Sequence, residues 1–299
     1  MTGRAEFAPN TAIESTPGHA VARFSGTGVP VAITELTLGP NSRARIETGA
    51  PRGGFRVHGW VDAAKVPLST VQSVPIAAGH LTIAPRQSVS IQNVSADQLK
   101  IQHPAVPPLT QSFSAWAKCA ALSLDPGVPG VGSPPGDARG FALRKDALEL
   151  FDGPSGSTVG VVYKAPSAPA VLFFSTEQSG AWVHVERHAD VIIDAWAKAS
   201  ELSALPRGEL LDEQLTPPSQ HGPAHLALAN EPRVIRTTRE VPLRAHANDA
   251  DAPIGNIAPD TETYVVEIMA GWVSVLPKTL DVMPVEGGGL WAKKSDLGL

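Results

Sequence analysis

The sequence predicts an all-β protein: small β-barrels in tandem, joined by Gly/Pro-rich linkers. Three observations lead there. A Trp-small-x-x-x-x-(Leu/Val) frame occurs four times, and short runs of alternating apolar and polar residues precede its copies. Gly (27) and Pro (28) together approach a fifth of the 299 residues, which favours turns and short strands over long helices.

The copies are "GWVDAAKVPL", "AWAKCAALSL", "AWAKASELSAL" and "LWAKKSDLGL". Their anchors are Trp60, Trp116, Trp196 and Trp291, and their closing residues are Val66, Leu122, Leu202 and Leu297. A position repeated in frame argues for packing, so these four Trp are expected to be structural, filling cores or bridging adjacent strands. Trp291 and Leu297 are expected to point inward, with Lys293 and Lys294 near solvent. Lys118 and Lys198 hold the place of Lys293 in their copies. That is the solvent side of an edge strand, where Lys blocks unwanted pairing.

Upstream of each anchor lies a strand-like run: "RARIE", "QLKIQ", "AWVHVE" and "GWVSVL". In "AWVHVE", Val183 and Val185 fall on one face and Trp182, His184 and Glu186 on the other. Further upstream, "ALELFDGPSGSTVGVVY" reads as a hairpin around a Gly/Pro/Ser turn. The units divide as 20–68, 69–124, 141–205 and 234–299, each of a size at which small barrels fold. Residues 125–140 read as a linker. Residues 206–233 form a longer join whose "RGELLDEQL" part suits one short helix ahead of Pro217 and Pro218.

On these motifs, the units at 141–205 and 234–299 resemble the bacterial SH3-like domain, a small, partly open β-barrel found in many envelope and wall-associated proteins. The third unit offers "LELFDGPSGSTVGVV", "AWVHV" and "AWAKASEL". The fourth offers "VPLRA", "APIGNI", "TYVVEI", "GWVSV" and "LWAKKSDL". The first two units keep the closing Trp but carry "RARIE" and "QLKIQ" where the pattern has Gly-Trp, and read as diverged units.

Several chemistries find no support in the sequence. A net charge of −5 gives no basic footprint, so nucleic acid is not an expected partner. No apolar run reaches the length of a membrane span. The single cysteine, Cys119, makes an internal disulfide or a thiolate metal cluster impossible, and its place in a closing motif reads as packing in a half-buried strand. There is no Gly-x-Ser-x-Gly, and Ser155 and Ser157 read as turn residues. His184 and His188 on a strand would stand roughly 13 Å apart, too far to share a metal. His221 and His225 read as loop residues, and Asp249 and Asp251 as a solvated turn. No metal or cofactor is expected.

What remains is binding. Trp182, His184 and Glu186 in the third unit, and Trp272 and Ser274 in the fourth, are the candidate ligand contacts, because an aromatic face with a polar rim suits a peptide or a sugar polymer. The expected function is a non-enzymatic binding or adaptor protein recognising a protein segment or a cell-envelope polymer. The alternative is a structural or assembly subunit using its barrels for neighbour contacts, self-association included. A hydrolase with a diverged site is a distant third. The N-terminal stretch has no apolar core of signal-peptide type. That fits an envelope or secreted chain from which an export signal was removed, or otherwise a cytoplasmic one.

Overall fold

The computed structural model describes residues 1–49, 54–126, 138–205, 233–286 and 288–299. Among these residues the chain is all-β. Its strands form four sheets, with one half-barrel, and its helical pieces are four single turns of 3-10 helix. Most of the linker expected at 125–140 and the short helix expected within 206–233 lie outside the described residues, as do His221 and His225.

Each copy of the Trp frame is one piece of geometry. The Trp lies in a strand that runs into a 3-10 turn beginning three residues later, at Ala63–Lys65, Cys119–Ala121, Ala199–Glu201 and Lys294–Asp296. The closing residue ends that turn. The backbone N–H groups of Val66, Leu122, Leu202 and Leu297 each donate to the carbonyl of the turn's first residue. The fixed spacing from Trp to Leu or Val is therefore a strand step plus one i→i+3 turn.

The strand partner is also fixed. Arg43–Thr48, Gln98–His103, Trp182–His188 and Trp272–Pro277 each pair antiparallel with the strand that carries the closing Trp. The register is the same in all four. The closing Trp stands opposite Arg45, Lys100, His184 and Ser274 in turn. The residue two beyond it stands opposite Arg43, Gln98, Trp182 and Trp272. "RARIE" and "QLKIQ" thus occupy the strand that "AWVHV" and "GWVSV" occupy in the other two units.

Side-chain alternation then decides what faces the core. The small residue after each Trp is buried: Val61, Ala117, Ala197 and Ala292. The Trp points the other way. Inward placement holds for Trp291, which is 9% exposed, whereas Trp116 is 45% exposed and Trp60 and Trp196 are half-buried. For those three, the expectation of core filling is corrected. The frame buries its small residue in all four copies and its closing residue in three, Val66, Leu122 and Leu297, with Leu202 partly buried; it leaves Trp60, Trp116 and Trp196 on the outer face. Cys119 is likewise exposed in a 3-10 turn and does not pack in a half-buried strand.

The units join edge to edge. The first sheet takes in strands ahead of residue 20, Thr2–Ala5 and Ala12–Thr16, and also strands of the fourth unit. Gly255–Ile257 pairs with Phe55–Asp62, and Val282–Pro284 pairs with His19–Phe24. One hydrophobic core runs through the first, second and fourth units, from Phe7 and Phe24 through Ile91 and Leu99 to Val273 and Leu297. A second core fills the third unit and takes Leu81, Leu109 and Phe113 from the second. Strand Leu81–Ile83 of the second unit pairs with Val191–Lys198 of the third.

A buried polar cluster lies at that second-to-third junction. His103, 2% exposed, sits with Nε2 3.1 Å from Asp190 Oδ2 and Nδ1 3.1 Å from the Ser88 carbonyl. Arg187, 3% exposed, donates to the other Asp190 oxygen at 3.2 Å. Burial pushes the Asp190 carboxyl up, but the His103 hydrogen bond and the Arg187 charge outweigh it and hold it below its usual range. The two halves of the chain therefore meet at two places, the first unit with the fourth and the second with the third. A protease site engineered within 127–137 and cut should leave the halves co-eluting in size-exclusion chromatography, and they should part only in denaturant. Separate elution in buffer would show that these junctions do not hold.

Candidate functional site

The outer face of the third unit is built by alternation on three adjacent strands. On Trp182–His188, Val183, Val185 and Arg187 are buried, which sends Trp182, His184 and Glu186 outward. On Val191–Lys198, buried Ile193, Ala195 and Ala197 leave Asp194, Trp196 and Lys198 on the same outer side. Strand Ala147–Phe151 adds Glu149 and Phe151. Its hairpin with Thr158–Tyr163 turns at "DGPSGS", where Ser155 has φ 60° and the Asp152 N–H donates to the Ser157 carbonyl at 3.0 Å.

Cross-strand register assembles these side chains into rows. Phe151 stands opposite Trp196, which stands opposite His184. Lys198 stands opposite Trp182, and Asp194 opposite Glu186. The Phe151 and Trp182 rings meet edge to face at 4.9 Å, and His184 tilts against Trp196 at 5.2 Å. Lys198 Nζ lies 5.3 Å from the Phe151 ring and 3.9 Å from Glu149. His184 places Nε2 2.7 Å from Asp194 and Nδ1 3.8 Å from Glu186, and His188 reaches the other Glu186 oxygen at 3.4 Å. The result is an aromatic strip between acidic side chains, with Trp182 and Trp196 half-buried and Phe151 buried beneath them.

The sequence-derived contacts of the third unit, Trp182, His184 and Glu186, therefore share one face. Those of the fourth unit do not form a matching surface. Ser274 is buried opposite Trp291, so its expected ligand role is corrected. Trp272 is flanked by cations of its own chain, Arg244 at 5.6 Å and Lys293 at 5.8 Å. The acidic turn secures both. Arg244 Nε donates to the Asp251 carbonyl at 2.9 Å, Lys293 lies 2.5 Å from Asp249, and His246 lies 2.6 Å from the Asp251 carboxylate.

Sequence reasoning missed Phe151, Asp194 and the outward place of Trp196. A signal for Phe151 was present: in "ALELF" it shares alternation with Glu149, opposite to Leu148 and Leu150. No group of three metal-ligating side chains occurs among the described residues, and no helix among them is long and apolar enough to cross a membrane. Clefts open elsewhere among the described residues. One of about 370 Å³ lies between the first and second units beside Leu68 and Val89. One of about 680 Å³ lies between the first and fourth, lined by both Arg45 and Glu47. No protein-family profile, characterised protein or solved structure matches the chain.

Proposed function

We propose that the chain is a non-enzymatic binding or adaptor protein built from tandem SH3-like units, recognising a protein segment or a cell-envelope polymer through the outer face of its third unit. The observation that carries this is the convergence of Phe151, Trp182 and Trp196 with Glu186 and Asp194 on one sheet face. Ring faces give contact area at low entropic cost, and the carboxylates orient what lies on them. The recurrence of one register and one 3-10 closure supports reading the units as copies, and copies on one chain gain from effective concentration. Titration with envelope polymer fragments and with a peptide panel tests the reading. Trp182→Ala should weaken the best ligand about tenfold, the loss of one aromatic contact of about 1.4 kcal/mol, while the thermal midpoint stays within a few degrees. Binding unchanged by Trp182→Ala counts against this face.

An assembly subunit is the second reading. It is favoured by exposed Val266, Ile268 and Met269, which continue strand Glu262–Met269 past the reach of its neighbour Arg233–Arg236. Concentration-dependent sedimentation separates the two, because a binding module of this kind stays monomeric.

A further inference from the structure

Three of the four units, the first, third and fourth, place a pair of side chains at the same lattice point, and they fill it with different chemistry. One member stands opposite the closing Trp on the far side from its main partner: Glu14, Phe151 and Arg244 in the first, third and fourth units. The other stands opposite the residue two beyond the Trp: Arg43, Trp182 and Trp272. In each unit the two members touch. Glu14 and Arg43 form an ion pair, Phe151 and Trp182 an aromatic pair, and Arg244 and Trp272 a cation–π pair. The chain itself thus shows a cation seated on the indole at this position. In the fourth unit that cation is internal and tied down by the acidic turn.

In the third unit a phenyl ring holds the place of the guanidinium, and the indole has no arginine of its own chain stacked on it among the described residues. Carboxylates remain nearby. Glu186 and Asp194 face each other in the adjoining row, 20% and 62% exposed, and Glu149 lies beyond Lys198. Three carboxylates, Glu149, Glu186 and Asp194, stand on this face with one lysine, Lys198. Ring faces beside carboxylates are the chemistry of a cation site, and they disfavour an anionic partner. From this we infer that the third-unit face takes the guanidinium or ammonium side chain of a basic peptide, laid from outside over the half-buried Trp182 and Trp196 beside Glu186 and Asp194. The inference rests on the binding reading above and adds the ligand's charge to it.

The test is an NMR titration of the full chain. It follows the indole N–H signals of Trp182 and Trp196 with four probes: capped tri-arginine, capped tri-lysine, capped tri-glutamate and a trimer of N-acetylglucosamine. The cationic peptides should shift both signals saturably and leave Trp272 in place. Phe151→Arg, which copies the fourth unit's internal cation, should weaken the tri-arginine response about tenfold. So should the Glu186→Gln/Asp194→Asn double variant, which keeps every ring and guards against a folding failure of the first. If the sugar trimer moves the signals and the cationic peptides do not, the ligand class is wrong although the face binds. If no probe moves them, the face itself is not a site and both readings fall. A tri-arginine response undiminished in both variants places binding elsewhere and overturns the inference.

Discussion

Asp190→Ala should destabilise the protein by about 3–5 kcal/mol in urea unfolding, the range for removing one partner of a buried ion pair. Asp190 is the shared acceptor of a cluster in which His103 and Arg187 are 2% and 3% exposed. Removing the carboxylate takes away the acceptor that buried His103 and Arg187 share. The junction between the second and third units should loosen with it, because the carboxylate is what ties His103 of the second unit to the third. The pH dependence follows from the direction of the shift. The folded-state carboxyl sits below its unfolded value, so its stabilisation is fully present above the ordinary carboxylate pKa of about 3.9. It is lost as pH falls through the lowered folded value. Wild type should therefore lose stability in strong acid by a component that Asp190→Asn lacks. Parallel acid profiles for the two would show that the cluster does not carry this linkage.

Gly255→Val should cost about 3 kcal/mol or more, at the top of the overpacking range. Gly255 pairs with Val57 where a fourth-unit strand meets the first sheet, and a Cβ there would stand 1.8 Å from the Arg56 carbonyl oxygen. That neighbour is backbone held in a ladder, so it cannot swing aside as a side chain would. The strand has to separate, taking Ile257 out of the shared core. Gly153→Ala is the control, since nothing lies within 4 Å of its added methyl and its φ is not in the left-handed range. Thermal unfolding checks both, and a rise in radius of gyration for Gly255→Val alone would locate the failure at the junction. Equal stability of the two variants would show that the first sheet does not depend on this contact.

The repeat was legible because it is local. Strand alternation and an i→i+3 turn are written in consecutive residues, so "AWAKCAAL" already holds its strand, its turn and its buried leucine, Leu122. Which face the Trp takes was also legible in principle, since a small residue beside a large one on a strand must point oppositely. Weighing the recurrence of Trp above the recurrence of its small neighbour led to inward placement. The junctions between units were not legible. "GNI" pairs with "FRV" through backbone N–H and C=O groups, which every residue carries, so no side-chain pattern marks the pairing. His103 and Asp190 meet only because strand Leu81–Ile83 docks on Val191–Lys198. The candidate face was half legible: its central strand could be read, and the flanking Phe151 and Trp196 required the register of neighbours.

The pairing of Val282–Pro284 with His19–Phe24 has a consequence for how the protein is made. Arg23 donates to the Pro284 carbonyl across 261 positions of sequence. At ordinary elongation rates a ribosome takes on the order of tens of seconds to cover that distance. Throughout that interval the nascent first sheet shows two uncovered stretches, along His19–Phe24 and along the Phe55, Arg56 and Val57 end of the next strand, which late-made segments cover. Such long-range closure slows folding and lengthens the time in which unpaired edges can meet those of another chain. Substitutions that weaken these late-made strands should therefore lower yield during synthesis as well as the stability of the finished molecule.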